Sequence, residues 1–255
     1  MCLLALSWHN HAQYSLVVAA NRDEFYRRPS RAADFWPNAP GVLAGRDEEQ
    51  GGSWLGLHVD GRFAALTNAR GASSVPGAPS RGALVSDFLT SQLSARAYAE
   101  TRLQEIAEYA GCNLFVCDSQ SLHYLTNHPT PEARELPPGS YALSNGHLDD
   151  AWPKMRNLGT RFEQLLLEPI IRSDDLLGIL TCRTLANDDD LPDTGVDPSL
   201  EKQLSSIFIH LPTYGTRCST VITVDSNGHT RFTERRFNSE GEAAGDSEYE
   251  LTCRI

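Results

Sequence analysis

The residue with the most chemical potential in this chain stands second. The sequence opens MCLLALSWHN, so removal of Met1 would leave Cys2 with a free α-amino group. Such an amine titrates at about 7.7–8.0 and a thiol at about 8.5. One terminal residue would then supply both a sulfur nucleophile and the base that takes its proton. The plainer alternative is a small apolar residue buried in a first strand. A second concentration of chemistry, Asn21-Arg22-Asp23-Glu24, closes the apolar run YSLVVAAN. An arginine beside the thiol would lower its pKa. Otherwise the tetrad is a charged strand end whose surface ion pairs contribute little. Asn68 in ALTNAR and Asn145 in ALSNG each stand where a strand runs into a loop. Their amides can donate to a developing oxyanion, or simply form turns. Arg217 in YGTRCSTV could bind a carboxylate, steady a site, or be a surface charge.

Strands must bring these residues together. CLLALSWH and YSLVVAAN read as a hairpin turned at NHAQ, which returns the tetrad to the neighbourhood of Cys2. Alternation puts Asn21 and Asp23 on one face and Arg22 and Glu24 on the other. Arg22 and Asp23 then serve one site only if the strand bends. Residues 27–53 read as loop-rich. SWLGLHV and RFAALTN flank Asp60-Gly61, a favoured hairpin turn. Residues 80–109 read as two helices divided by a Ser94 N-cap. CNLFVCD and SLHYLTN form a further hairpin, and SYALSNG a short strand. DDAWPKMRNLGTRFEQLLLE reads as a helix capped by Asp149 or Asp150, and RSDDLLGILTC as a shorter one. NDDDLPDTGVDPS reads as an acidic surface loop. STVITVD and HTRFTERRF flank Asn227-Gly228 as the last hairpin, and a polar tail from about 238 reads as mobile or weakly helical. There is no βαβ alternation and no GxGxxG. The fold class is α+β, mostly antiparallel, with strands enough for two sheets in one domain.

Composition narrows the function. The 255 residues are 40% hydrophobic, as in a globular chain. A net charge of −11, from 22 basic and 33 acidic residues, argues against non-specific nucleic-acid binding and against an anionic membrane surface. No apolar run approaches the ~20 residues of a membrane span. The first apolar stretch lacks the basic flank of a signal peptide. The six cysteines show no CxxC spacing, so reduced thiols in a cytoplasmic compartment are expected. Among eight histidines only His9 and His11, alternating on a turn, suggest a metal or haem. No ligand cluster has metal-site spacing, so neither metal nor cofactor is expected. Ser53, Ser144 and the other serines lack a GxSxG context.

Five ordered blocks, NRDEFYRRPS, LAGRDEEQGGSWLG, ALTNAR, LSNGHLDDAWPK and YGTRCSTVITVD, resemble the NRDE family, also called the transport and Golgi organisation protein 2 family. The resemblance spans residues 2 to about 237. It implies a four-layer αββα sandwich of the N-terminal nucleophile (Ntn) hydrolase type, similar to the penicillin V acylase and bile salt hydrolase group. By that similarity Cys2 is the nucleophile and its amine the base. Arg22 lies beside the thiolate, Asp23 orients the amine, Asn68 and Asn145 form the oxyanion hole, and Arg217 stabilises the site. Asn21 and Glu24 complete the motif as binding residues. In those acylases two residues separate the arginine from the aspartate, whereas here they are adjacent. The implied reaction is cleavage of a non-peptide amide bond in a small molecule. The alternative is a non-catalytic carrier of haem or an acyl or lipid ligand. A homo-oligomer is compatible with either.

Overall fold

Hairpin follows hairpin along the chain, and every strand pairing is antiparallel. The computed structural model describes residues 3–72, 77–253 and 255. Cys2 lies outside them. A six-stranded sheet contains β1 (Leu3–Trp8), β2 (Tyr14–Phe25), β10 (Gly139–Leu143), β11 (Tyr214–Asp225), β12 (His229–Phe237) and β13 (Ala243–Thr252), in the order β10-β1-β2-β11-β12-β13. A seven-stranded sheet runs in chain order. It comprises β3 (Ser30–Trp36), β4 (Ala39–Asp47), β5 (Leu55–His58), β6 (Phe63–Asn68), β7 (Cys112–Cys117), β8 (Leu122–Thr126) and β9 (Glu132–Leu136).

Three apolar clusters make four layers. Between the sheets lie Leu4, Leu6, Leu16 and Val18 from one side and Leu55, Leu57, Phe63 and Phe115 from the other. Outside the seven-stranded sheet pack α1 (Arg81–Thr90) and α2 (Ala95–Glu105). In α1, Leu84, Val85, Phe88 and Leu89 recur at helical spacing and are buried. Ser94 caps α2 as predicted, accepting from the Ala97 N–H. Outside the six-stranded sheet pack α3 (Pro153–Leu165) and α4 (Ser173–Ile179), with Met155, Leu158 and Phe162 facing Leu3, Ala5 and Val17.

The structure corrects several sequence expectations. The stretch expected as loop from 27 to 53 contains β3 and β4. Trp152, with Pro153 at the first helical position, opens α3 in place of Asp149 or Asp150. The acidic loop ends by running into α5 (Pro198–Gln203), capped by Asp197, whose carboxylate accepts from Ser199 and Leu200. Beyond Asn238 the polar tail forms a strand and not a helix. Residues Ala243–Thr252 pair with β12 as an edge strand, with Tyr249 and Leu251 packed on the core between the sheets. Among the described residues no helix is long and apolar enough to cross a membrane.

Candidate active site

β2 is the strand on which the site is built. Its even-numbered residues Leu16, Val18 and Ala20 face the other sheet, and its odd-numbered Val17 and Ala19 face the helices. Arg22 continues the inner face and is 3% exposed. Its guanidinium lies 4.2 Å over the Trp54 ring, 3.7 Å from Asp47 and 3.5 Å from Ser30 Oγ. Trp54 reaches that position because residue 45 is glycine: a Cβ there would sit 2.3 Å from the indole.

Asn21 and Asp23 face the opposite way, as alternation requires. Asn21 donates to the carbonyls of Leu180 at 3.0 Å and Ile207 at 2.8 Å. Its oxygen accepts from Ser219 Oγ at 2.6 Å. Both amide hydrogens are thereby committed to holding two loops on the sheet, so Asn21 does not line the cleft, contrary to the binding role carried by the resemblance. Asp23 is buried and accepts from Thr216 Oγ1 at 2.7 Å. The register irregularity beside these two residues lies in the partner strand and not in β2. β11 carries an irregularity between Thr216, opposite Asp23, and Cys218, opposite Arg22. Arg217 is the extra residue. Its Nη1 donates to the carbonyls of Phe25, Tyr26 and Arg28 at 3.0–3.1 Å, clamping the turn after β2. Burial and the nearby Arg22 charge lower its pKa.

Arg22, Glu24 and Asn68 line one narrow, largely polar cleft of about 80 Å³, with Arg28, Asp47 and Trp54. Glu24 stands 3.9 Å from Arg28. Asn145 joins the site through Asn68, donating to its carbonyl at 2.9 Å. The Asn145 side-chain oxygen faces Arg70 and the buried Lys154, both at 3.4 Å. Two cations on the oxygen side fix the amide orientation, and one Nδ2 hydrogen makes no bond among the described residues. The Asn68 side chain makes no hydrogen bond among the described residues. Arg70 is anchored by an ion pair to buried Glu201.

The structure thus brings together Arg22, Glu24, Asn68 and Asn145, with Asp23 and Arg217 on the flanks. Sequence reasoning missed Asp47, Trp54, Arg70, Lys154 and Glu201 as supports. Asp47 and Trp54 stood inside a family block, but only packing of one sheet on the other puts them beside Arg22. His11 is engaged by the backbone around it. His11 Nδ1 accepts from the Gln13 N–H, so its Nε2–H donates to Glu168 O, each at 3.0 Å. Among the described residues no three His, Cys, Asp or Glu side chains gather as a metal-ligand set.

The architecture is shared with solved structures of conjugated bile acid hydrolase from Clostridium perfringens. Two of them, one a cysteine-to-alanine mutant, align with a TM-score of 0.50 over 100% of this chain and 99% of theirs, at 9% identity. At that identity the likeness establishes the Ntn-hydrolase fold alone. Sequence relatives are much nearer. The Transport and Golgi organization protein 2 homolog of Bos taurus is 40% identical over 243 residues, 87% of this chain and 86% of its own. The Mus musculus homolog is 38% identical with the same coverage. The Drosophila melanogaster protein is 29% identical over 92% of this chain and 91% of its own. The profile of the Transport and Golgi organisation 2 family matches residues 1–239, and the chain belongs to that family.

Proposed function

We propose that this chain is an N-terminal cysteine hydrolase that cleaves a carbon–nitrogen amide bond in a small molecule through an acyl-enzyme. The observation that supports the reading is the register of β1 on both sides. Leu3 faces Asn21, and Leu4 faces Leu143. The end of β2 that carries Arg22 and the end of β10 that leads to Asn145 therefore flank the end of β1 at which the chain enters that strand. Alternation puts Arg22 on the inner face of β2, the face that Leu4 and Leu6 take on β1. The two loop-end asparagines and the motif arginine would then surround one thiol.

In this reaction the Cys2 α-amine takes the thiol proton, with Asp23 orienting the amine and Arg22 favouring the thiolate. Sulfur attacks the amide carbon, and the carbonyl electron pair moves to oxygen. The free amide hydrogens of Asn68 and Asn145 receive that oxyanion. Collapse breaks the C–N bond, and the leaving nitrogen takes the proton held by the α-amine. A water then gives a proton to the amine and adds to the thioester, and the acid departs as sulfur is released. The bulged Arg217 takes no part in the bond making and breaking; through Nη1 it holds the turn beyond Asp23.

Cys2→Ala tests this with an amide that the wild type turns over, found by screening N-acyl amides. The variant is expected to keep its circular dichroism and Tm and to lose about 10³-fold or more in kcat. Turnover at the wild-type rate would refute the proposal.

A further inference from the structure

A second cavity, of about 200 Å³, opens beside the Arg22–Trp54 stack. Trp54 lines both spaces, with Arg217, Cys218, Glu234 and Arg236 on the far side. The placement follows from register. Cys218 on β11 pairs with Arg22 on β2 and with Arg236 on β12, so the three occupy one row across the sheet. With strands about 4.8 Å apart, Arg217 and its strand lie about 10 Å from β1.

Among the described residues the cavity holds two arginines with no ion-pair partner. Nearby carboxylates are taken by other arginines: Asp47 by Arg28, and Asp246 by Arg235, each at 2.7 Å. Neither Arg217 nor Arg236 makes an ion pair within 4.0 Å among the described residues. Arg217 uses only Nη1 on its three carbonyls, which leaves Nε and Nη2 without a hydrogen bond among those residues. Arg236 donates through Nη1 to Ser247 Oγ at 2.8 Å. Room for its guanidinium is made by its partner Gly245, where a Cβ would lie 2.7 Å from Nη2. Glu234 is a poor counter-ion. Burial pushes its pKa up, and its oxygen already accepts the Ala33 N–H at 2.8 Å.

We infer that this cavity is the subsite for a carboxylate on the substrate, held by Arg217 and Arg236, so that the amide cleaved belongs to the N-acyl amino acid class. The chemistry rests on the hydrolase reading, but the binding does not. At roughly 30 Å³ per water, the space equals a handful of waters. It holds a carboxylate with a short side chain and has no room for a long acyl chain.

The test is calorimetric titration of the Cys2→Ala protein with N-acetylglycine, hippurate and N-acetylglutamate, each against its uncharged amide. At least one acid is expected to saturate, with its amide at least tenfold weaker. Arg236→Gln is expected to weaken that acid at least tenfold and to leave the amide unchanged. Arg236→Lys, which keeps the charge and loses the fork, should fall between and serves if the glutamine variant fails to fold. Absence of binding by every acid, equal binding of acids and amides, or indifference to both substitutions would overturn the inference. Alkylation of Cys2 by iodoacetamide, followed in parallel on the protein with Cys2 intact, separates the two readings. A fast Cys2 without acid binding leaves the hydrolase and removes the subsite. Acid binding with an inert Cys2 does the reverse.

Discussion

Glu234 is a carboxyl held away from its ordinary state by its surroundings. It is 1% exposed, and burial raises its pKa despite the opposing pull of the Ala33 N–H, Cys218, Arg236 and Arg22. A carboxyl with a raised folded pKa contributes stability below its unfolded pKa of about 4.3, and that contribution is lost as pH rises toward the folded value. Glu234→Gln stays neutral and keeps an acceptor for Ala33. It should therefore melt above the wild type at pH 7, with the gain shrinking toward pH 4. A variant that melts lower at pH 7 would mean the charge is needed as a counter-ion for Arg236, against the carboxylate subsite. At this scale the sequence was informative about chemistry and, through alternation, about which face each residue takes, but silent about partners. The NRDE tetrad drew attention to Arg22, Asp23 and Glu24, which the structure places in or beside the cleft. It could not show that Asn21 spends both amide hydrogens on the Leu180 and Ile207 carbonyls, since those lie some 160 and 186 residues away.

At the scale of elements, the site depends on tying the loop after β10 to the other sheet. Asn113, fully buried in β7, donates to Thr67 Oγ1 at 3.1 Å and Gly146 O at 2.9 Å. Its oxygen accepts from Tyr124 OH at 2.8 Å, and that hydroxyl accepts the Leu148 N–H at 3.3 Å. These bonds fix the backbone that follows Asn145. Asn113→Ala strands buried partners and should cost about 1–3 kcal/mol in urea unfolding, with acid or amide turnover reduced alongside. An unchanged midpoint would show that the loop is held by other contacts. The hairpins with strong turns, Asp60-Gly61 and Asn227-Gly228, were legible from sequence because their signals are local. β3, β4, β9 and β13 were not. β4 begins at Ala-Pro-Gly, and β9 and β13 are polar edge strands with one half-covered face. In β13 the signal was present as alternation: Asp246, Glu248 and Glu250 are exposed, while Ser247, Tyr249 and Leu251 are partly covered. α5 was equally readable in retrospect, from Asp197 as cap with Pro198 at the first helical position.

Taken whole, the molecule protects most of its thiols and leaves few to react. Burial raises the pKa of Cys117, Cys218 and Cys253, and pushes Cys112 up to about 12. Cys182 is the exception. Its burial, which acts to raise the pKa, is outweighed by bonds from Thr184 and the charge of Arg161, so it falls below the ordinary thiol range. The four-layer fold was foreseen through family blocks spread over the chain, because layer packing is set by contacts that composition and local spacing do not encode. The most direct measurement is therefore intact-mass and peptide mapping of the purified protein after limiting iodoacetamide at pH 7. The account predicts that Met1 is absent, that Cys2 is alkylated first, and that Cys182 follows while the four buried thiols remain untouched. Retention of Met1, or reaction of Cys182 ahead of Cys2, would contradict it.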